Sequence, residues 1–252
     1  MFVSNSTNLN SYFMSHIKNA EAFGKLIGVC TGYAGGYNPG STNLQITSMN
    51  AVLSEARQAI AEVYSAQTLF DNATNNREVA SKEMRLRCTR IYNVLKACGA
   101  HPLTLEDARF RIRKMYGSRL AESMEKAAVG TEPPVSKKRR QSGQDYISMT
   151  EHFAKLIETV SAEASYKSNE AELTVSALVH LLGSIKNLNE LVWQATIQLT
   201  SVRNKRNGIM YRGDSNLYAT AMAVKAYIKG AFGLTSVQYH EVVKIRFTKY
   251  TN

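Results

Sequence analysis

Cysteine is scarce: Cys30, Cys88 and Cys98 are the only three in 252 residues. An odd, sparse set excludes a disulfide framework and points to a reducing compartment. Cys88 and Cys98 fall on apolar-face positions of one expected helix, where each serves as a small buried hydrophobe. Proline is scarce too, with four, and Pro39, Pro133 and Pro134 sit in segments that read as loops. The long proline-poor stretches favour helices. Histidine is dispersed: among His16, His101, His152, His180 and His240 no two stand three or four apart, and none pairs with cysteine at finger spacing. No metal site is expected from such a set. No Glu stands three before a His, which excludes the motif of a carboxylate-bridged di-iron bundle. The Gly-rich run Thr31–Thr42 lacks both the GK[ST] ending and a preceding strand, so it is read as a connector and not a phosphate loop. A nucleophile elbow, a dinucleotide fingerprint and the kinase motifs are all missing. The expectation is a non-enzyme with no catalytic residue and no cofactor. No stretch approaches ~18 apolar residues, so no membrane span and no membrane partner are expected. The start, MFVSNSTNLNSYFMSHIKNAEAF, lacks the charged opening and continuous apolar core of a signal peptide, which makes a cytoplasmic location the expectation.

What is present is apolar content of 44% and a formal charge of +11. The first is enough to bury a core in a chain of this length. The second makes contact with nucleic acid or another anionic surface plausible, and equally fits a protein with no such partner.

Periodicity organises most of the chain as helices. Residues 11–27 read as a short helix, followed by the Gly-rich connector; together 1–42 form an entry segment. Residues 43–71 form a long helix, with Met49, Leu53, Ala56, Ile60, Val63 and Ala66 at three-four spacing. Polar Asn72–Arg77 breaks it. A second helix over 78–99 carries Met84, Cys88, Ile91, Leu95 and Cys98 as a seven-residue repeat suited to antiparallel packing. A third runs from Thr104 to about 127 with Ala108, Ile112, Met115, Leu120 and Met124 inward. Residues 129–144, with two prolines and a cationic run, form a linker. The second half, 145–252, begins with the stripe Tyr146, Met149, Phe153, Leu156/Ile157 and Val160. Its longest helix opens at Asn169 and runs to Val202, burying Leu178, Leu182, Ile185, Val192, Ala195, Leu199 and Val202, with Trp193 expected in the core or at a helix interface. Residues 203–215 are irregular at least in part, and a helix follows over 216–231. The close, Gln238–Tyr250, reads as helical at first, with KIRFTKY able to end extended.

Two stretches share a pattern. Ile91–Tyr116 and Val224–Tyr250 each read as an apolar helix, a glycine turn, a threonine start and a basic helix. Thr104 with Asp107, and Thr235 with Gln238, have the spacing of a capping box. The fold expected is therefore all-α, two pseudo-repeated antiparallel helical halves (43–128 and 145–252) forming an elongated helical bundle.

Two basic clusters stand out. Arg109, Arg111, Arg113, Lys114 and Arg119 of the third helix, with Arg109 and Arg113 on one face, form one cluster with Arg85, Arg87, Arg90 and Lys96 of the second. Lys137, Lys138, Arg139 and Arg140 form the run in the linker. Either can neutralise phosphates, pair with acids or face water. The tetrapeptide at 212–215 matches an adhesion motif, yet nothing in the sequence points to export.

The strings IYNVLKACGA, DYISMTEHFAKLI, SYKSNEAEL and VKAYIKGAFGLTSVQYHEVVKIRFTK resemble an uncharacterised helical protein family found mostly in Bacteroidota. The resemblance covers most of residues 44–249; the Gly-rich entry and the KKRR run depart from it. It implies a helical, non-exported bacterial protein and carries no activity or site residue. The expected role is a non-catalytic helical-bundle interaction or assembly protein, with a protein partner that includes a second copy of itself. The alternative is a basic nucleic-acid-binding protein using phosphate contacts.

Overall fold

The structure, a computed structural model, describes the backbone of residues 6–116, 145–213 and 215–249, with side chains from residue 15 onward. Among the described residues there are seven α-helices and no strand: α1 (Ser6–Gly32), α2 (Ile46–Ala97), α3 (Pro102–Tyr116), α4 (Tyr146–Ala162), α5 (Val175–Tyr211), α6 (Leu217–Phe232) and α7 (Val237–Lys244). The chain is all-α, as its periodicity requires, and the helices pack against one another.

The two helices expected over 43–71 and 78–99 are one. α2 runs for 52 residues through Asn72–Arg77 without interruption. It contains no glycine and no proline, and a few asparagines cost a helix only ~0.5 kcal/mol each relative to alanine. Arg77 lies 3.9 Å from the centre of the Tyr146 ring, so the polar run also has a packing partner. α5 likewise passes its expected end at Val202 and continues to Tyr211, because Gly208 alone does not stop a helix. The break comes at 212–216. There Gly213 takes φ 85°, and Asn216 caps α6 by accepting from the Ala219 N–H at 2.8 Å. At its other end α5 begins at Val175 rather than Asn169, after a 3₁₀ turn at Ala171–Leu173.

The two expected capping threonines are not the caps. α3 starts at Pro102, whose fixed φ suits the first helical position, and His101 Nδ1 accepts from the Leu103 N–H. The Thr104 hydroxyl and the His101 N–H instead serve the Glu163 carboxylate, which also takes Ser165 and is held below the usual range by these bonds, Ser165 first. α7 is capped by Ser236, whose hydroxyl accepts from the Tyr239 N–H at 3.1 Å. After Lys244 the chain is non-helical through the described end, as KIRFTKY allowed.

The chain forms two compact units, Met1–Leu69 with Thr196–Asn252, and Phe70–Ala195. These cut across the sequence-derived halves, 43–128 and 145–252, since both boundaries fall inside a helix, α2 and α5. The expected linker 129–144 lies outside the described residues, as do Leu120 and Met124. In the first unit Phe23, Leu26 and Met49 share a core with Ala221, Val224, Ile228 and Val242. In the second, Met84, Ile91 and Leu95 share one with Met115, Phe153, Leu156 and Leu178. The seven-residue stripe Met84, Cys88, Ile91 and Leu95 is wholly buried there, each residue at 0% exposure. It is therefore spent within the molecule and offers nothing to a second copy. Cys98, the expected fifth member, is only half-buried beyond the helix end, with its thiol donating to the Lys167 carbonyl.

Gly233 ends α6 with φ 92° and ψ 158°, a region that L side chains avoid. A Cβ there would meet no atom within 4 Å, so backbone strain is the whole cost. Gly233→Ala is expected to lower stability by about 1–3 kcal/mol in urea unfolding. No measurable change would mean that the turn is not held in this conformation.

Candidate functional site

α3 turns Ala108, Ile112 and Met115 inward. This period leaves Arg109, Arg113 and Lys114 exposed and Arg111 partly so. Phe110 lies among them, 43% exposed, with the Arg111 guanidinium and the Lys114 ammonium each 5.4 Å from its ring centre. His152 of α4 belongs to the same neighbourhood. Its pKa is lowered by burial and then by the charges of Arg111, Lys155 and Lys114. Burial is the larger cause, and the cations' share of the shift marks a positive local potential. The His152 Nδ1 is buried with no protein hydrogen-bond partner among the described residues.

The cations of α2 behave differently. Arg90 pairs with Glu172, and Arg87 pairs with Glu83 while reaching the Glu172 carbonyl at 3.4 Å. Arg85 Nη2 lies 3.0 Å from the Met149 sulfur. These arginines fasten α2 to the 3₁₀ turn and to α4 and do not extend the α3 face. Arg119, Lys137, Lys138, Arg139 and Arg140 lie outside the described residues.

A polar cluster that the sequence reading did not single out sits inside the first unit. His16, Asn19, Arg206 and Asn207 are all buried. His16 Nδ1 lies 2.8 Å from the Tyr211 hydroxyl, and Asn19 Nδ2 donates to the same oxygen at 3.1 Å. Asn19 also clasps the backbone of Thr248, donating to its carbonyl at 2.8 Å and accepting from its N–H at 2.9 Å. The Arg206 guanidinium donates twice to the Asn207 side-chain oxygen. Burial, and then the nearby Arg206 charge, lowers the His16 pKa to about 4. The signal available in the sequence was the polar His16 and Asn19 on the stripe that continues as Phe23, Leu26, Ile27 and Cys30.

Several large apolar groups are exposed. Trp193, expected in a core or helix interface, is 60% exposed on α5, and Val179 and Leu191 of the same helix are about half exposed. Val79 and Leu86 stand one heptad apart on α2 and are both exposed. Of the two cysteines expected to be buried, Cys88 is and Cys98 is not, while Cys30 is buried as well; desolvation pushes the Cys30 and Cys88 thiols up to about 11 and about 12. Neither holds thiolate at neutral pH. Among the described residues no three of His, Cys, Asp or Glu gather as a metal site, and no helix is long and apolar enough to cross a membrane. One shallow depression, lined by Arg87, Glu172, His180, Leu181 and Ser184, is open to solvent, and the Ser184 hydroxyl in it donates to the His180 carbonyl at 3.1 Å. No family model, curated protein or solved structure matches the chain.

The His16 site sets a pH dependence. Above pH 6.5 the residue is neutral whether the chain is folded or unfolded. Between 6.5 and 4 the unfolded chain takes the proton first, so stability falls as pH falls. The loss approaches about 3 kcal/mol near pH 4, at 1.36 kcal/mol per pH unit. Urea titrations from pH 7 to 4 are expected to show this decline, and His16→Gln to flatten it. An unchanged slope in the variant would remove His16 as the cause.

Proposed function

We propose that the protein is a non-catalytic helical interaction module that binds another protein, a second copy of itself included, through the outer face of α5. The observation that supports this reading is Trp193. Removing most of an indole from water is a strong driving force, and tryptophan dominates binding hot spots far beyond its abundance. A residue that a monomer gains by burying stands here 60% exposed, with exposed Val179 two heptads before it on the same helix. The partner surface is not the α2 stripe, which the core already uses.

Trp193 is the only tryptophan, so its fluorescence reports on its own surroundings. At nanomolar concentration the emission is expected at the wavelength of a hydrated indole. Light scattering through high micromolar concentration is expected to show mass rising together with a blue shift, and Trp193→Ser to abolish the rise with helicity unchanged. A strict monomer with unshifted emission at every concentration would end the self-association form of the proposal.

A second reading has its own observation, the exposed Phe110 between Arg111 and Lys114. An aromatic face flanked by cations suits single-stranded nucleic acid, with stacking on the ring and phosphates on the cations. On this reading, gel shifts with mixed DNA and RNA weaken steeply with salt, and Arg111→Glu with Lys114→Glu removes two phosphate contacts and flattens the salt slope by about 2. Undetectable binding at low salt would dismiss it.

A further inference from the structure

The two long helices are entered by the same device. Tyr37 donates its hydroxyl to the Leu44 carbonyl at 2.7 Å, and 129 positions later Tyr166 donates to the Leu173 carbonyl at 2.7 Å. Each bond spans a loop closed by a 3₁₀ turn, Thr42–Leu44 or Ala171–Leu173. The backbone repeats as well. Ser41 and Glu170 take φ/ψ of −81°/126° and −73°/118°, and Gln45 and Thr174 take −66°/146° and −64°/147°. The bonds Tyr37 N–H to Ala34, Leu44 N–H to Ser41 and Met49 N–H to Gln45 recur as Tyr166 to Glu163, Leu173 to Glu170 and Leu178 to Thr174.

The helices on either side repeat too. α1 contains Phe23-Gly-Lys-Leu-Ile27 and α4 contains Phe153-Ala-Lys-Leu-Ile157. The Phe, Leu and Ile of both are buried. Farther on, Met84, Cys88, Ile91 and Leu95 match Leu217, Ala221, Val224 and Ile228 at a constant separation, and all eight are at 0% exposure. A positive-φ glycine follows in each case, Gly99 and Gly233, and then the short helices α3 and α7. The separation grows from 129 at the loops to 133 at these core positions. Four extra residues in the second copy correspond to the break at 212–216, where the first copy keeps α2 continuous.

The units distribute these parts in a crossed manner. The first unit holds α1, the Tyr37 loop and the start of α2 together with the end of α5, α6 and α7. The second holds α4, the Tyr166 loop and the start of α5 together with the end of α2 and α3. We infer that the chain is two copies of one helical module tied in tandem, and that the copies have exchanged their C-terminal parts, so that the surface presented by each copy's entry helices is shaped for the closing helices of the other. The partner that each half fits is thus a second copy of the module, supplied within the same chain. This stands independently of the α5 face and of Trp193.

The test cuts the full chain. A protease site inserted within 129–144 is cleaved after folding, and the product is run on a native sizing column and a denaturing gel. The exchange predicts one native species at the mass of the intact chain that parts into two fragments only on denaturation. Treatment with a carbodiimide then joins the fragments through Glu62 of the first and Lys205 of the second, whose carboxylate and ammonium lie 2.8 Å apart, and Glu62→Gln removes that link. Two folded fragments that separate natively, or that stay together without the Glu62–Lys205 link, would overturn it. Should the insertion prevent folding, peptide mapping of the carbodiimide-treated unaltered chain decides the same point by the presence or absence of that link.

Discussion

Among the described residues, the main core stripes are covered by segments far away in sequence. Phe23 and Leu26 are buried with Val224 and Ile228, and Phe153 and Leu156 with Ile91 and Leu95. An isolated helix is marginal in water, and most of its stability in a protein comes from the apolar face that another element covers. Neither half of the chain supplies its own full cover, so the helices form together with their distant partners. This one requirement places the unit boundaries inside α2 and α5 and leaves both helices long.

The cores and the polar groups divide the tasks between them. Apolar burial is non-directional and tolerates many pairings of similar stripes. The directional contacts then choose among the pairings. In the first unit Asn19 grips the Thr248 backbone at both its donor and its acceptor, and the Lys225 ammonium reaches the Ile245 carbonyl and faces the Phe247 ring. In the second, Glu172 gathers Arg90, and Glu163 gathers Thr104 and His101. Each of these joins the entry part of one copy to the closing part of the other, apart from the Lys225 contacts, which seat the final segment on α6. The buried His16 belongs to the same set and brings an acid sensitivity with it, since a group kept neutral in the fold takes its proton more readily in the unfolded chain, and acid thereby favours unfolding.

Much of the local structure was legible in the sequence. The three-four spacing of Met84, Cys88, Ile91 and Leu95 identifies a helix face, and all four are buried as that face. What such spacing does not state is which distant stripe covers it, because leucine and isoleucine on one helix fit many others. Hence the halves read from the sequence follow the chain, while the compact units cross it. Asn72–Arg77 misleads for a related reason: polarity is a sign of exposure, not of a helix end, and the run holds neither glycine nor proline to break α2. The threonine starts mislead because Pro102 and Ser236 each satisfy the same need one or two residues away. The repeated Phe-x-Lys-Leu-Ile at 23 and 153 is the sequence mark of the inferred duplication, and it is easily lost among helices of similar composition. Of the candidate site residues, Arg109, Arg113 and Lys114 are exposed and Arg111 partly so, while Phe110 beside them and Trp193 on α5 draw their meaning from exposure that only packing determines.

Native-state hydrogen exchange on the intact chain tests the crossed arrangement most directly, since amides that open together report one cooperative unit. The account predicts that slow amides of α1 and the start of α2 share one opening free energy with those of α6 and α7, and that α3, α4 and the end of α2 share another. Amides of 46–97 opening as one block, distinct from a second block over 146–244, would contradict it.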